Sequence, residues 1–118
     1  MSKINPIDLL ESGIRATGMR GTAIANNIAN FQTPGYRRLA VDFEGMLSSA
    51  MKSADAAQVL QVTPKLYSPK DTPVDDRGND VQLELEIGGM IQNGAVRKAY
   101  LRMMSKTYSQ MEMAMRVE

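Results

Sequence analysis

Neither histidine nor cysteine occurs among the 118 residues of this sequence, so the side chains available for chemistry are amides, hydroxyls, carboxylates, amines and guanidinium groups. Zinc sites built on imidazole or thiolate are therefore excluded, and so are Ser-His-Asp and Cys-His nucleophiles. Disulfide bonds are excluded for the same reason. An enzyme that uses only the scattered aspartates and glutamates is an alternative, but these residues show no paired-carboxylate spacing. The composition predicts a protein that is not an enzyme and that uses no cofactor and no metal.

The densest group of side chains suited to specific hydrogen bonding lies between residues 26 and 36. Three asparagines, Asn26, Asn27 and Asn30, precede a Thr-Pro-Gly-Tyr turn. Such residues are ordinary at the end of a helix. A polar side chain in an apolar helix interface also fixes the register of the helices, at some cost in stability. We therefore expect the asparagines to hydrogen-bond across helix interfaces.

Charge and hydropathy exclude two classes of partner. The formal net charge is +1, from 14 basic and 13 acidic residues, so no strong field favours nucleic acid. No uninterrupted apolar run approaches the roughly 18 residues that a transmembrane helix requires. The segment that begins at Met1 lacks the apolar core of a cleaved signal peptide. We expect neither a nucleic-acid partner nor a transmembrane segment.

The element that carries the asparagines is predicted to be a long amphipathic helix from Asn5 to Phe31. Asn5 suits the N-cap and Pro6 the first helical position, whereas Pro34 prevents the helix from continuing. Apolar side chains recur at alternating spacings of three and four, which is a heptad pattern. This stripe contains Ile7, Leu10, Ile14, Thr17, Gly21, Ile24, Ile28 and Phe31.

The rest of the chain is predicted to hold a short helix, a loop and a second long helix. The short helix runs from Leu39 to Met51, and the loop from Lys52 to Asp80 becomes ordered on assembly, with Val59, Leu60 and Val62 briefly extended. In the segment from Val81 to the C-terminus, apolar and polar residues first alternate, which fits a strand. Apolar residues at spacings of three and four then continue over a longer stretch, which favours a helix. That series contains Leu83, Ile87, Met90, Gly94, Arg97, Leu101, Met104, Tyr108, Met111 and Met115.

The predicted fold is mainly α. Long N- and C-terminal amphipathic helices form a coiled-coil-like pair, with a short helix and an irregular extended loop between them. The chain forms one structural unit with three parts, at residues 1–36, 37–80 and 81–118.

The two long helices are predicted to need partners beyond each other. Each contains three glycines, and a glycine in a helix interior costs about 1 kcal/mol relative to alanine. Six of the ten methionines lie in the second helix, and many of its apolar side chains fall outside the stripe. A two-helix hairpin would leave these side chains exposed, which monomers seldom tolerate. The alternative is a self-contained helical bundle.

The segment from Ala25 to Tyr36 resembles the N-terminal signature of the bacterial flagellar axial proteins, the rod, hook and hook-associated subunits. In that family an Asn-x-x-Asn-x-x-Thr-Pro-Gly-Tyr pattern closes a long helix. Within that family the chain is similar to the short rod subunits, because no domain is inserted between its terminal helices. The same similarity is carried by Asp42-Phe43, Gly78–Leu83, Glu86, Asn93, Arg97 and Leu101–Lys106. One departure is Lys98, where an aromatic residue often follows the arginine; here Tyr100 lies two places further on.

The resemblance implies a structural subunit of the flagellar basal-body rod, which assembles through its terminal helices into the helical drive shaft for motility. Such subunits lie in the periplasm and are exported unfolded by the flagellar type III apparatus without a cleaved signal. The implied partners are further copies, other rod subunits and a FliE-like adaptor at the membrane ring. Arg97 either pairs with a carboxylate of a neighbour or remains solvated.

The residues expected at subunit interfaces follow the two stripes and the turn. They are Ile14, Gly21, Ile24, Asn26, Asn27, Ile28, Asn30, Thr33, Pro34, Gly35, Tyr36, Arg97, Leu101, Met104, Tyr108, Met111 and Met115.

Three other functions fit parts of the sequence. The chain could be another flagellar axial subunit, or a soluble helical adaptor or export chaperone that binds a partner helix in a methionine-rich groove. An amphipathic protein on a membrane surface fits less well, because neither helix has a clean basic face and tryptophan is absent.

Overall fold

The first long helix forms as the capping residues predict. The computed structural model describes residues 5–52 and 55–116, so the predicted bounds at residues 1 and 118 lie outside the described residues. Helix α1 spans Pro6–Ala29, and the Asn5 side chain caps it by accepting a hydrogen bond from the Ile7 amide at 3.0 Å. The helix ends two residues before the predicted Phe31, where the Asn30 amide donates to the carbonyl of Asn26.

The segment after residue 81 is a helix and not a strand. Helix α4 spans Leu83–Arg116 and packs antiparallel to α1, with Tyr100 beside Gly13 near one end of the pair and Glu86 beside Asn27 near the other. The molecule is elongated, with extents of 67 × 28 × 14 Å. The predicted pair of long terminal helices is therefore confirmed.

The middle of the chain contains more regular structure than the sequence analysis predicts. Its elements are strand β1 (Ala40–Asp42), helix α2 (Glu44–Lys52), helix α3 (Ala56–Leu60) and strand β2 (Lys65–Tyr67). The two strands pair antiparallel, with Val41 opposite Leu66. The short helix begins at Glu44 and not at Leu39, because the preceding residues pair as a strand.

The extended segment predicted at Val59, Leu60 and Val62 is wrong. Val59 and Leu60 lie in α3, whose N-cap Asp55 accepts a hydrogen bond from the Ala57 amide at 3.0 Å. Parts of the loop predicted to become ordered only on assembly therefore have regular structure within a single chain.

A small apolar core lies where the middle segment returns to α1. Ala16 on α1, Phe43 and Val62 are buried together, and Met46, Leu47 and Ala50 of α2 pack against them. On α1, the predicted stripe faces the protein interior, since Leu10, Thr17 and Ile24 are buried. The stripe predicted for the first helix is confirmed except at Phe31, which is exposed.

Most of the stripe predicted for α4 is exposed, although Arg97 contacts α1 and Leu83 and Met104 are partly buried. The inward face of α4 instead carries polar, small and aromatic residues, namely Glu86, Gly89, Asn93, Val96 and Tyr100. We call the exposed apolar residues of the predicted series the outer stripe: Ile87, Met90, Leu101, Tyr108, Met111 and Met115, each 45% to 75% exposed. Pairing of the outer stripe within one chain is therefore wrong, because α1 binds the neighbouring face of α4. Pairing between subunits stays a prediction.

Gly13 allows α1 and α4 to approach each other. A Cβ atom at Gly13 would lie 2.9 Å from two carbon atoms of the Tyr100 ring. We expect Gly13→Ala to lower the free energy of unfolding by about 1 kcal/mol, since overpacking outweighs the gain in helix propensity. Urea unfolding followed by circular dichroism measures this change.

Gly88→Ala is the matched control for that substitution. A Cβ atom at Gly88 would meet nothing within 4 Å outside its own helix among the residues described. This variant should be more stable than the wild type by up to about 1 kcal/mol. Equal shifts for the two variants would contradict the close packing of Tyr100 on Gly13.

Candidate functional site

Asn27 lies at the centre of a buried polar cluster that joins α1, the returning chain and α4. It is fully buried, and its amide makes four hydrogen bonds. Its Nδ2 donates to the Leu39 carbonyl at 2.8 Å and to Glu86 Oε2 at 3.1 Å, and its Oδ1 accepts from the Leu39 amide and the Tyr36 hydroxyl, both at 2.9 Å. The asparagine thus holds the backbone of Leu39 as a neighbouring strand would.

Glu86 and Asp80 bring charge into this cluster, and both carboxylates are 1% exposed. Arg38 donates through Nε to Glu86 Oε1 at 2.8 Å, and its backbone amide donates to Asp80 Oδ1 at 2.6 Å. Arg37 donates to the other oxygen of Asp80 at 3.0 Å. A buried carboxylate is stable only when it is paired and hydrogen-bonded, and both of these meet that condition. We call Asn27, Tyr36, Arg38, Asp80 and Glu86 the polar junction.

The Leu39 amide fixes the direction of the hydrogen bonds at Asn27, because a backbone N–H group can only donate and its partner is the amide oxygen Oδ1. Partial burial, and then the negative charges of Glu86 and Asp80, raise the pKa of the Tyr36 hydroxyl above its usual value. The hydroxyl is protonated at neutral pH and donates to Asn27 Oδ1, which already accepts from the Leu39 amide. With that oxygen serving as acceptor, the amide nitrogen of Asn27 is left to donate to Glu86.

The Thr-Pro-Gly-Tyr turn docks on the loop that leads into α4. The Gly35 amide donates to the Arg77 carbonyl at 2.8 Å, and a Cβ atom at Gly78 would lie 3.6 Å from the Gly35 Cα. Both glycines adopt positive φ, at 75° and 78°, which other residues adopt only with strain. Asn79 joins the two segments by donating to the carbonyls of Asn30 and Thr33 at 2.8 and 2.9 Å.

A second polar contact lies midway along the helix pair. Asn93 on α4 is buried and donates through Nδ2 to the Thr17 carbonyl at 2.9 Å. Arg97 reaches α1 as well, where it donates to the Ile14 carbonyl and the Thr17 hydroxyl at 3.4 and 3.3 Å. Within the part of the chain that the structure describes, Arg97 pairs with no carboxylate. Its pairing with a neighbour's carboxylate stays a prediction.

The predicted interface residues divide into three groups by their exposure in a single chain. Ile24 and Asn27 are buried, and Ile14, Gly21, Ile28, Asn30, Tyr36 and Met104 are partly buried. The exposed group contains Asn26, Thr33, Pro34, Gly35, Arg97, Leu101, Tyr108, Met111 and Met115. Asn27 makes all its hydrogen bonds within one chain, so its side chain is not available to a neighbouring subunit. The residues of the exposed group are available.

The predicted interface residues omit four that organise the site: Arg38, Asn79, Asp80 and Glu86. Of these, Asn79, Asp80 and Glu86 entered the sequence analysis only through the resemblance to the short rod subunits. A signal for Glu86 was present, because Glu86, Asn93 and Tyr100 recur every seven residues along α4 and all face α1. A search for apolar residues does not detect an inward helix face of this kind, because the residues that repeat along it are mostly polar.

Comparison with known proteins agrees with the resemblance seen in the sequence. The chain is 25% identical to the flagellar basal body rod protein FlgB of Bacillus subtilis (strain 168), over 90% of this chain and 89% of that protein. It is 27% identical to the flagellar basal body rod protein FlgB of Borrelia hermsii, over 74% of this chain and 78% of that protein. The chain is FlgB-like over most of its length. No protein-family model matches it.

The alignment to the Bacillus subtilis protein covers 90% of this chain, so the similarity is not confined to the Asn27–Tyr36 signature. Among the described residues, no helix combines the length and the apolar character needed to cross a membrane.

Proposed function

We propose that this FlgB-like chain is a structural subunit of the flagellar basal-body rod and has no enzymatic activity. The observation that carries the proposal is the outer stripe, a set of apolar side chains beside the inward face of α4 that residues 5–52 and 55–116 leave exposed. A continuous exposed apolar face on a small protein marks a protein–protein interface. The similarity to FlgB supports the rod as the assembly in which this face is buried.

The end of α4 adds a second exposed surface. Thr107 is the last residue of α4 that is partly buried, and every residue from Tyr108 to Arg116 is exposed. At about 1.5 Å per residue, α4 extends roughly 13 Å beyond its pairing with α1. We call Tyr108–Arg116 the overhang. The overhang has no tertiary contacts to support it among the described residues, so contacts with other subunits would stabilise it.

The polar junction sets how these surfaces are presented. It joins α1, the chain after the turn and the start of α4 through Asn27, Arg38 and Glu86. Because these hydrogen bonds are directional, they fix which face of α4 binds α1, and the apolar face is then turned outwards. The role we propose for the signature is to hold the subunit in the shape that assembles.

The finer features of the proposal rest on the similarity to rod proteins. The subunit assembles with further copies and with other rod subunits into the drive shaft in the periplasm. A FliE-like adaptor at the membrane ring and the flagellar type III export apparatus are its other partners, and export needs no cleaved signal peptide.

The outer stripe can be tested in the source bacterium with its own gene replaced. A Leu101→Gln, Met111→Gln double variant places two amides in the outer stripe, where each original side chain would contribute about 1.5–3 kcal/mol on burial. We expect at least about a tenfold loss of swimming in soft agar, and few rods in electron cryotomograms of the cell envelope.

The matched control is the Ala99→Gln, Arg102→Gln double variant, which adds the same two amides at exposed positions of α4 outside both the outer stripe and the overhang. It should swim normally, and both variants should unfold like the wild type. Equal swimming by the two variants would contradict the proposed interface. A discrete dimer that never enters a basal body would contradict the rod function and would indicate an adaptor.

A further inference from the structure

Several methionine side chains of α4 are exposed in the single chain. Three belong to the outer stripe, Met90, Met111 and Met115, and they are 48%, 47% and 75% exposed. Methionine is normally among the residues that a protein buries. We call these three residues the stripe methionines. Their thioether groups are open to small solutes as long as the outer stripe is uncovered.

The composition makes methionine the side chain of this protein that peroxides oxidise most readily. The sequence contains ten methionines and neither cysteine nor tryptophan. Cysteine is the other sulfur side chain that peroxides attack, and it is absent. Two-electron oxidation is therefore directed to the thioethers, and among these to the exposed ones.

The reaction transfers one oxygen atom from the peroxide to the methionine sulfur. The O–O bond of hydrogen peroxide breaks, an S–O bond forms, and the remaining oxygen leaves as water. The sulfur is oxidised by two electrons and the peroxide is reduced by two. The product is methionine sulfoxide, which is polar and which methionine sulfoxide reductases convert back to methionine.

Oxidation of the stripe methionines leaves the packing inside a single chain intact. Their side chains lie outside the buried core, so a sulfoxide oxygen at these positions stays hydrated in the free chain. Met46 is different, because it packs against the core formed by Ala16, Phe43 and Val62. The folded chain therefore exposes the stripe methionines to peroxide while it shields Met46.

The same sulfoxide oxygen is costly once the outer stripe is covered. Burial of a polar oxygen against apolar side chains without a hydrogen-bond donor opposes the contact. Met111 and Met115 are four residues apart on one side of α4, so a single apolar contact would enclose both. Oxidation thus changes the surface through which the chain assembles and not the fold that carries it.

We propose that the stripe methionines are a reversible modification site at which peroxide blocks the assembly of the free chain. Sulfoxide at these positions excludes a chain from assembly, whereas an assembled chain is protected because its outer stripe is covered. The effect on assembly rests on the proposed function. The selective oxidation of the stripe methionines does not.

The selectivity is tested with the purified full-length chain at low protein concentration. Peptide mass spectrometry after treatment with hydrogen peroxide gives the oxidation rate at each methionine. We expect the stripe methionines to be oxidised at least about fivefold faster than Met46. Circular dichroism should show the same helix content before and after oxidation. Equal rates at the stripe methionines and Met46, or loss of the helices on oxidation of the stripe methionines, would refute the site.

The effect on assembly is tested in the source bacterium, in which synthesis of the chain is induced during a brief sublethal exposure to hydrogen peroxide. New rods are counted in electron cryotomograms. A Met90→Leu, Met111→Leu, Met115→Leu variant keeps the apolar side chains and has no sulfur to oxidise at the stripe. Under peroxide it should give at least about fivefold more rods than the wild type.

The matched control is the Met51→Leu, Met103→Leu double variant. It removes two thioethers of similar exposure, 58% and 53%, that lie outside the outer stripe. This variant should lose rods under peroxide as the wild type does. An equal loss of rods by all three chains would overturn the proposal, because peroxide would then act on another component.

The wild-type chain supplies a second measurement that does not depend on assembly of the leucine variant. Chains recovered from basal bodies should contain at least about fivefold less sulfoxide at Met111 and Met115 than the unassembled pool does. Equal sulfoxide in the two pools would contradict the block. A chain that never enters basal bodies, with or without peroxide, would instead reject the rod function, and the oxidation rates of the purified chain would still decide the modification site.

Discussion

Replacing Glu86 with alanine is expected to lower the free energy of unfolding by about 3–5 kcal/mol, because the substitution removes one member of a buried ion pair. Glu86 is 1% exposed and accepts hydrogen bonds from Arg38 and Asn27, at 2.8 and 3.1 Å. Without it, the Arg38 guanidinium keeps only its longer contact to the exposed Asp71, at 3.4 Å. A small domain has about 5–15 kcal/mol of stability in total, so the variant should be largely unfolded at moderate urea concentrations.

Urea unfolding followed by far-ultraviolet circular dichroism measures this loss at low protein concentration. The control is Glu84→Ala, which removes the same side chain from an exposed position in the first turn of α4 and should change the stability by less than about 0.5 kcal/mol. A Glu86→Leu, Arg38→Met double variant should recover part of the loss, because apolar residues replace both charges. Similar unfolding of the Glu86→Ala and Glu84→Ala variants would contradict the buried pair.

The two long helices could be predicted from the sequence because their local signals agree. For α1, the cap at Asn5, the proline at the first position and the apolar stripe all specify the same element. For α4, the three-four periodicity outlasts the short alternation before Gly88. The strands β1 and β2 could not be predicted, since three residues have no pattern of their own and their pairing depends on the tertiary structure.

The face of α4 that packs on α1 was predicted only in part, for a physical reason. Hydropathy finds the most apolar side of a helix, and in this chain that side is the outer stripe. The side that binds α1 contains Glu86, Gly89 and Asn93, whose fit depends on hydrogen bonds and close backbone approach and not on apolar area. A sequence pattern does not distinguish a face buried within a chain from one that is buried only between chains.

The polar junction was predictable in part. The signature identified Asn27 and Tyr36, which are close in sequence and end one helix. Their partner Glu86 lies 59 residues beyond Asn27, and Asp80 lies 42 residues beyond Arg38. Pairings over such distances leave no local trace, so the sequence indicated hydrogen bonding by the asparagines without showing that Asn27 bonds within its own chain.

Replacing Asn27 with alanine is expected to cost about 3–5 kcal/mol, a loss comparable to that at Glu86. The substitution removes the partner of the Leu39 amide, the Leu39 carbonyl and the Tyr36 hydroxyl, and each buried group left without a hydrogen bond costs about 1–3 kcal/mol. It also removes a hydrogen bond to Glu86. The Asn27→Ala, Glu86→Ala double variant should therefore lose less stability than the sum of the losses in the two single variants. Urea unfolding of the two single variants and the double variant measures the coupling.

Asn26→Ala is the control that separates folding from subunit contact. Asn26 precedes Asn27 on α1 but is exposed, so its replacement should leave the stability within about 0.5 kcal/mol of the wild type. If both asparagines act at subunit contacts, both variants should fold normally and both should lose motility. The geometry instead predicts that Asn27→Ala loses motility because the junction that turns the outer stripe outwards no longer holds. An Asn27→Ala chain that folds as stably as the wild type would therefore contradict the proposal that the polar junction holds the subunit in the shape that assembles.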